Sequence, residues 1–266
     1  IIKGETKNNF ILRYFKSSLT NEFMSKIYSD VQINLDHIFS AALHHFSESE
    51  VEINCLKRVI YVSAVMIKKS GKYRINHSIA EENLYKIFTD EPNAEFDSVF
   101  ELAKSQGLIV EIADERIRIN RSNFDKKYDF HEIRRENTLQ VIANEFFLLE
   151  MANGIVKRVA KTPDDELRRK AFAEIYKTDL ENFEKDYIKY YDEKFSKDKS
   201  VGSPFFLDTK IKAMSKVKRV GIMLVHGYKS APKEMESLAK FLNGFGYKVY
   251  GVRLHGHGTA PINLQE

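Results

Sequence analysis

Hydrophobic positions spaced three and four residues apart predict helices along most of the first 190 residues. Residues 35–46 and 51–69 have this spacing and predict two amphipathic helices. Residues 78–88 predict a third helix, in which Ser78 is the cap and Glu81, three positions later, completes a capping box. The N-terminal part of the chain is therefore expected to be mainly helical.

A predicted β-hairpin follows these helices. Asn93 is placed to cap a fourth helix, and Gly107 is placed to end it, as glycine often does just past a helix C-terminus. Residues 108–120 then alternate as two short strands on either side of Asp114. Two helices, a glycine and a hairpin form the outline of a winged helix.

Many winged helices bind DNA, which makes DNA binding a hypothesis for this region. The charges of its helices argue against that hypothesis. A helix that enters a DNA groove needs basic residues, because neutralising phosphates supplies most of the affinity. The charged residues of the two helices before the hairpin are mainly acidic: Glu81, Glu82, Glu95, Asp97 and Glu101, against Lys86 and Lys104. We therefore expect a module that packs against protein and no nucleic-acid partner.

The middle of the chain predicts two more helices and a linker. Residues 133–154 predict one apolar helix that ends at Gly154. Thr162 and Pro163 then have the types preferred at a helix start. The helix that follows has one apolar stripe, made of Phe172, Tyr176, Leu180, Phe183, Tyr187 and Tyr191. Its polar face mixes both signs of charge, which favours packing on a neighbouring element over lying on a lipid surface. The polar residues 196–204 are expected to be a linker.

The last part of the chain predicts strand, helix, strand. Residues 219–227 form a continuous apolar run, typical of a strand covered on both faces. A helix is predicted over 231–246, with Met235, Leu238, Ala239 and Leu242 facing inward, and a second buried strand over 247–254. These lengths predict a right-handed βαβ unit with a parallel strand pair. The expected fold class is α+β, with regions at 1–128, 129–200 and 201–266.

The amino-acid composition adds a few expectations about the surface, the compartment and bound groups. The 42 Lys and Arg nearly balance the 38 Asp and Glu, which leaves +4 and predicts a surface of mixed sign. Cys55 is the one cysteine and lies in an apolar run, so we expect a buried inert thiol in a reducing compartment. We expect no cofactor and no metal, since His255 and His257 have no acidic or thiol neighbours in sequence. A cytoplasmic location is expected, with peripheral contact at the inner face of the membrane.

The residues from Leu224 to Ala260, LVHGYKSAPKEMESLAKFLNGFGYKVYGVRLHGHGTA, resemble the N-terminal part of the α/β-hydrolase fold. The resemblance is to the monoacylglycerol-lipase and carboxylesterase branch, in which a strand ends in His-Gly-aromatic and the next strand leads to Gly-His-Gly. It implies that the backbone N–H of Tyr228 is an oxyanion donor and that His226 and Gly227 shape its loop. It also implies that the run from His255 to Gly258 is a structural turn.

The nucleophile of that family lies on a Gly-x-Ser-x-Gly turn after the next strand. No such pentapeptide occurs in the 266 residues. The chain is therefore expected to be inactive alone, as the first third of a hydrolase domain. In the resembled fold the nucleophile's strand also pairs with the strand that ends at His226. We therefore expect residues 220–225 to present an unpaired apolar edge and to favour self-association.

The first two regions resemble, less specifically, the segment after the catalytic domain in bacterial glycerol-3-phosphate-type acyltransferases. The similar features are INLDHIFSAALHHF, ELAKSQGLIVEI and an Arg-Asn-Thr run, here interrupted by Glu136. That family's catalytic motif is His-x4-Asp, with histidine as base. His45, His77 and His131 have Glu at the fifth position after them, and no histidine has Asp there. The resemblance implies that the acyltransferase site lies upstream of Ile1.

Together the two resemblances imply a lipid-metabolism protein that transfers or hydrolyses the acyl esters of glycerolipids. These residues would carry an acyltransferase C-terminal region followed by part of a hydrolase. The alternative is a helical protein-interaction module that carries a hydrolase-like domain which binds and does not cleave.

Overall fold

A computed structural model describes residues 18–19, 22–23, 26–27, 30–80, 84–89, 92–124, 126, 132–208 and 220–264. The chain divides into two compact units, Ile1–Phe172 and Ala173–Glu266. The described residues are mainly helical and include two small sheets of three strands each, which confirms the α+β class. The three regions expected from the sequence, with limits at 128 and 200, stay a prediction.

The first unit is built from helices around a small antiparallel sheet. Its elements are α1 (Leu35–His45), β1 (Glu50–Glu52), α2 (Ile53–Ser70), α3 (Ala94–Ser105), β2 (Ile109–Ile112), β3 (Arg116–Ile119), α4 (Arg121–Phe124), α5 (Ile133–Glu136), α6 (Thr138–Phe147), α7 (Glu150–Ala160) and the beginning of α8 (Asp164–Lys189). Short 3₁₀ turns cover His77–Ile79 and Tyr85–Phe88.

The core of this unit surrounds α1. Helices α2, α6 and α7 all pack against it, and its apolar residues from Leu35 to Leu43 are buried. Phe39 is fully buried and meets the rings of Phe96 and Phe100 edge-on, with centroids 6.0 and 6.5 Å apart. Aromatic pairs in this arrangement add to the stabilisation from area burial. The apolar residues that predicted α1 therefore form the surface against which the neighbouring helices pack.

The predicted hairpin is present, and a third strand, β1, pairs with it. Strands β2 and β3 are antiparallel, and Asp114 and Glu115 make the turn at φ of 63° and 53°. Strand β1 pairs with the other side of β3, which gives the order β1-β3-β2. The prediction of a helix from residue 51 is therefore wrong at its start. Val51 lies opposite Ile117 and both are buried, so pairing with β3 holds residue 51 in extended backbone.

The predicted cap at Ser78 is also wrong. Asn76 caps the short 3₁₀ turn, because its side chain accepts the Ser78 N–H at 3.0 Å. The Ser78 hydroxyl instead accepts the backbone N–H of Leu35 at 3.1 Å, which ties this turn to the start of α1. Glu81, the other half of the predicted capping box, lies outside the described residues.

The apolar segment 133–154 is three helices rather than one. Helices α6 and α7 meet at Leu148 and Leu149 with a bend of 112°, and Gly154 lies inside α7 and does not end it. The bend lets the apolar faces of both helices reach α1. Asn137 starts α6: its side chain accepts the Gln140 N–H at 3.2 Å and donates to the Asn123 carbonyl at 2.9 Å. This asparagine is fully buried, so its side-chain amide depends on these two bonds.

No single helix of the described chain has the length and apolar character to cross a membrane. The bent pair α6 and α7 meets the length and composition criteria only when its two helices are taken together.

The second unit is a mixed sheet flanked by helices. Its elements are the rest of α8, α9 (Lys199–Gly202), β4 (Phe205–Leu207), β5 (Gly221–Val225), a 3₁₀ turn at Pro232–Met235, α10 (Glu236–Gly244), β6 (Lys248–Val252) and a 3₁₀ turn at Pro261–Leu264. Strands β5 and β6 are parallel, as predicted, and β4 is antiparallel to β6, in the order β4-β6-β5. The predicted linker 196–204 therefore contains a helical turn.

The apolar run of β5 is typical of a strand covered on both faces, but within the described chain Met223 and Val225 are 64% and 54% exposed, so one face of this strand is uncovered there. One burial prediction for this unit is wrong. Leu238 was expected to face inward and is 47% exposed, whereas Ala239 is fully buried. The buried face of α10 is therefore narrower than the apolar pattern indicates.

Helix α8 supports the second unit through its aromatic stripe. The Tyr176 ring lies against the rings of Phe206 and Tyr250, with centroids 6.2 and 5.8 Å away. The Tyr250 hydroxyl donates a hydrogen bond to the Asp179 carboxylate. Burial, reinforced by that carboxylate, raises the pKa of Tyr250, so the phenol stays protonated and keeps its donor.

The first unit is expected to lose stability in mild acid because of His37. Its Nδ1 accepts the Asn34 N–H at 3.2 Å, in a capping box at the start of α1. Burial lowers the pKa of His37 from 6.5 to about 4. The unfolded chain therefore binds a proton that the folded chain does not, and stability is complete above pH 6.5 and falls as the pH approaches about 4. This one group should account for about 2 kcal/mol between pH 7.5 and pH 5.

The variant His37→Gln is the matched control, because glutamine at this position can accept the same cap hydrogen bond and does not titrate. Urea unfolding of both proteins at the two pH values measures the difference. Equal pH dependence of the two would contradict the assignment.

Candidate functional site

The loops that follow β5 and β6 lie at one edge of the sheet, because parallel strands have their carboxyl ends together. This edge is where open α/β sheets bind ligands. His226 follows β5 directly and is 3% exposed. Its Nε2 accepts the Leu254 N–H at 3.3 Å, and its Nδ1 lies 3.0 Å from the Gly227 carbonyl. Since Nε2 accepts, Nδ1 carries the hydrogen, and the neutral imidazole bridges the two loops.

A tight turn presents the backbone of Tyr228. The Ser230 N–H donates to the Gly227 carbonyl at 3.1 Å, and Lys229 lies in the left-handed region at φ 60°. A left-handed third residue is the mark of a type II turn, a position that favours glycine. In the part of the chain that the structure describes, nothing accepts a hydrogen bond from the Tyr228 N–H.

The residues from His255 to Gly258 form a turn beside this loop, as the resemblance implies. Gly256 and Gly258 have φ of 77° and 78°, which only glycine adopts without strain. A Cβ at Gly258 would lie 2.4 Å from the Gly202 Cα, and one at Gly256 would lie 2.6 Å from the Asn263 carbonyl oxygen. The glycines are therefore required by close backbone contacts. The His257 ring lies 5.0 Å from the His226 ring and 6.4 Å from the Tyr228 ring.

A buried arginine anchors this turn. Arg253 Nε donates to the His257 carbonyl at 2.6 Å, and Arg253 Nη2 lies 2.8 Å from the Asp186 carboxylate. The guanidinium carbon also lies 5.2 Å from the centre of the Phe183 ring. The Arg253 side chain is only 7% exposed, so the ion pair is shielded, and losing one partner would leave a buried charge unpaired.

A cavity of about 310 Å³ lies between the two loops. Phe195, Lys229, Ser230, His257, Pro261 and Leu264 are among its lining residues. It combines apolar walls with a few polar atoms, the composition typical of small-molecule sites.

The three consecutive residues that the sequence analysis proposed, His226, Gly227 and Tyr228, lie in one loop at the carboxyl edge of the sheet, and their catalytic roles stay a prediction. Sequence reasoning missed Arg253 and Asp186, which lie 67 positions apart and meet only in the folded chain. The one available signal was an arginine at the end of an apolar strand. No three His, Cys, Asp or Glu side chains of the described residues lie close enough to hold a metal ion.

Substitution by alanine is expected to affect stability very differently at the glycines of the two loops. A Cβ on Gly227 would meet nothing within 4 Å, so Gly227→Ala should change stability by less than about 0.5 kcal/mol. Gly258→Ala would combine a left-handed φ with a backbone clash and should cost more than about 2 kcal/mol.

Hydrogen exchange of the β5 and β6 amides reports the stability of this unit separately from the first. Faster exchange in Gly227→Ala than in Gly258→Ala would contradict this account of the two turns.

Comparison of the chain with protein-family models, with curated protein sequences and with solved structures found no match.

Proposed function

We propose that the second unit belongs to an acyl-ester hydrolase of the monoacylglycerol-lipase and carboxylesterase type. The observation that carries the proposal is the Tyr228 N–H just after β5, for which the described residues offer no hydrogen-bond acceptor. Acyl transfer passes through a tetrahedral oxyanion, and preorganised N–H donors that face it supply a large share of the catalysis. His226 and the left-handed Lys229 hold this N–H in place before any ligand arrives.

The parallel β5-α10-β6 unit supports this assignment, as does the placement of both glycine-containing loops at one edge. Nucleophilic chemistry would need a serine elbow that these 266 residues do not contain. The outer edge of β5 has no partner strand among the described residues. We propose that this edge takes the nucleophile's strand in the active protein. In these residues alone it would favour self-association, since no charged side chain interrupts β5.

We propose that the first unit is the C-terminal region of a glycerol-3-phosphate-type acyltransferase. Its element order, with β1 between α1 and α2 and the β2-β3 hairpin after α3, supports a winged-helix-like arrangement. The Arg-x-Asn-Thr run, residues 135–138, has a structural role, because its Asn137 caps α6. The whole protein would then move acyl groups among glycerolipids. Because such substrates reside in membranes, we propose a cytoplasmic protein in peripheral contact with the inner face.

The alternative of a helical interaction module is favoured by one observation. The face of α3 that a groove-reading helix would present is acidic, with Asp97 and Glu101 exposed. Lys104 forms ion pairs with Glu101 and Glu111, at 2.8 and 2.9 Å. A module with this surface would bind protein and avoid nucleic acid. The hydrolase proposal remains preferred, because Tyr228 offers a donor that simple packing does not require.

The experiment for the proposed function removes the Tyr228 N–H without changing the turn. Proline is favoured at the second position of a type II turn and has no N–H, so Tyr228→Pro deletes the donor in place. Tyr228→Ala is the matched control that keeps the donor and loses the ring. In the product of the complete reading frame, assayed on monoacylglycerol, we expect kcat to fall by about 10²–10³ for Tyr228→Pro and by less than about tenfold for Tyr228→Ala. Equal kcat for the two variants would exclude the oxyanion role.

The 266 residues alone are expected to have no serine esterase activity, because they lack the nucleophile elbow. Treatment with a fluorophosphonate probe should leave every serine unlabelled, as judged by intact mass. Stoichiometric labelling of one serine would show that the nucleophile lies within these residues.

Duplex DNA is expected to bind weakly, with a dissociation constant above about 10⁻⁶ M at physiological salt and without sequence preference. The acidic face of α3 is the reason, and the double variant Asp97→Lys with Glu101→Lys should bind more tightly and with greater salt dependence. Fluorescence anisotropy with two unrelated duplexes measures both. Tight binding of one duplex by the unchanged chain would favour a DNA-reading winged helix.

A further inference from the structure

The cavity of about 310 Å³ beside the Tyr228 turn has charged lining residues of one sign. Lys197 and Lys229 line it, and none of the described residues around it is acidic. The described part of the second unit is otherwise balanced, with 11 Lys and Arg against 11 Asp and Glu. The positive charge therefore belongs to this cavity and not to the surface of the unit as a whole.

Neither of these two lysines forms an ion pair with a carboxylate of the described residues. Other lysines of the same unit do have such a partner. Lys233 and Lys240, for example, both pair with Glu236 at 2.8 Å. The charge on the cavity lysines is therefore not neutralised by the part of the protein that the structure describes.

The acidic side chains closest to Lys197 in the chain are engaged by backbone. Asp192 accepts the Phe195 N–H at 3.0 Å, and Asp198 accepts the Ser200 N–H at 2.9 Å. Both carboxylates thus shape the segment after α8, and this segment presents Phe195 and Lys197 to the cavity.

The backbone of each lysine is held in place. The Tyr187 hydroxyl donates to the Lys197 carbonyl at 2.8 Å, and Lys229 occupies the left-handed position of its turn. The Lys229 ammonium lies 5.4 Å from the centre of the Tyr228 ring. Because a lysine side chain is a flexible stem with a point charge at its end, each ammonium can move toward a ligand from a fixed origin.

We propose that this cavity binds a small organic dianion, whose charge Lys197 and Lys229 neutralise and whose carbon skeleton contacts the apolar wall. Phe195, Pro261 and Leu264 supply that wall. Two ammonium groups match two negative charges, whereas a monoanion would leave one lysine without a partner. A concave site with apolar walls also focuses the field of its charges and concentrates ions of opposite sign. Phosphate monoesters and dicarboxylates share this chemistry.

The inference goes beyond the proposed function and does not depend on it. A neutral acyl ester has no group that pairs with two lysines, so a role of the Tyr228 N–H in ester hydrolysis leaves the charge of the cavity unexplained. Lys229 follows Tyr228 directly in the chain. A ligand that contacts both residues would carry its negative charge beside the turn.

Binding to the 266-residue chain is measured by ¹H–¹⁵N correlation NMR at pH 7.5. The probes are phenyl phosphate and phthalate as dianions, benzoate as a monoanion and benzyl alcohol as a neutral compound. We expect about millimolar affinity for a dianion, with shifts of the Gly256 and Gly258 amides that line the cavity. Benzoate should bind about fivefold more weakly, and benzyl alcohol more weakly still. Added sodium chloride should weaken binding of the dianions most.

The variants Lys197→Gln and Lys229→Gln remove one charge each and keep most of the stem. Each should weaken dianion binding about threefold to fivefold, and the double variant should weaken it by more than about tenfold. Lys185→Gln is the matched control. Lys185 is an exposed lysine of α8 that also has no carboxylate partner among the described residues, and it does not line the cavity. This control should change the affinity by less than about twofold.

The two dianions separate the possible sources of the ligand. Binding of phenyl phosphate alone assigns the site to phosphate monoesters, binding of phthalate alone assigns it to dicarboxylates, and binding of both supports a general dianion site. Because all three lysines are exposed, the melting temperatures of the variants should stay within about 2 °C of the unchanged chain.

Three results would overturn the proposal: no shift of the Gly256 and Gly258 amides with either dianion, benzoate binding as tight as that of the dianions, or an equal loss of affinity in Lys185→Gln. The last result would assign binding to the general field of the surface. None of them bears on the kcat of Tyr228→Pro, so this inference and the proposed function can fail separately.

Discussion

The candidate site depends on one buried histidine that joins two loops. His226 accepts the Leu254 N–H on one side and bonds to the Gly227 carbonyl on the other. Each bond is modest in energy, but His226 itself is only 3% exposed, so the loss of either partner would leave a buried ring nitrogen unsatisfied, which is costly. The pair fixes the loop after β5 against the loop after β6. The Tyr228 turn and the Gly256–Gly258 turn are held at one edge by this bridge.

A second constraint comes from contacts that leave no room for side chains. Gly258 touches Gly202 and Gly256 touches Asn263, so the turn beside the site is packed against backbone. Arg253 holds the same turn through the His257 carbonyl and the Asp186 carboxylate. A site of this kind is preorganised, because its loops are positioned by buried interactions that exist without a ligand. Ser230 Oγ and His257 Nε2 are buried in the same region and have no hydrogen-bond partner among the described residues.

Much of the fold could be predicted from the chain. The α1 helix, the Asn93 cap, the 109–119 hairpin and the parallel β5–β6 pair follow from periodicity and from residue types at turns. The errors have physical causes. Residues 133–154 have helical spacing of apolar residues throughout, which does not distinguish one helix from three successive helices that bend to reach the same core. Val51 is extended because Ile117, 66 positions later, pairs with it.

The sequence by itself determined which local structures the chain prefers, including the turn after β5 that contains Tyr228. Spacing of apolar residues, glycines at left-handed positions and asparagine caps are short-range effects, and they act within a few residues. Only the tertiary structure decided that His226 contacts Leu254, that Arg253 pairs with Asp186, and that Ser230 and His257 line one cavity. Those contacts join residues from 27 to 67 positions apart. No local pattern encodes them, because their energy arises only when packing removes water from both partners.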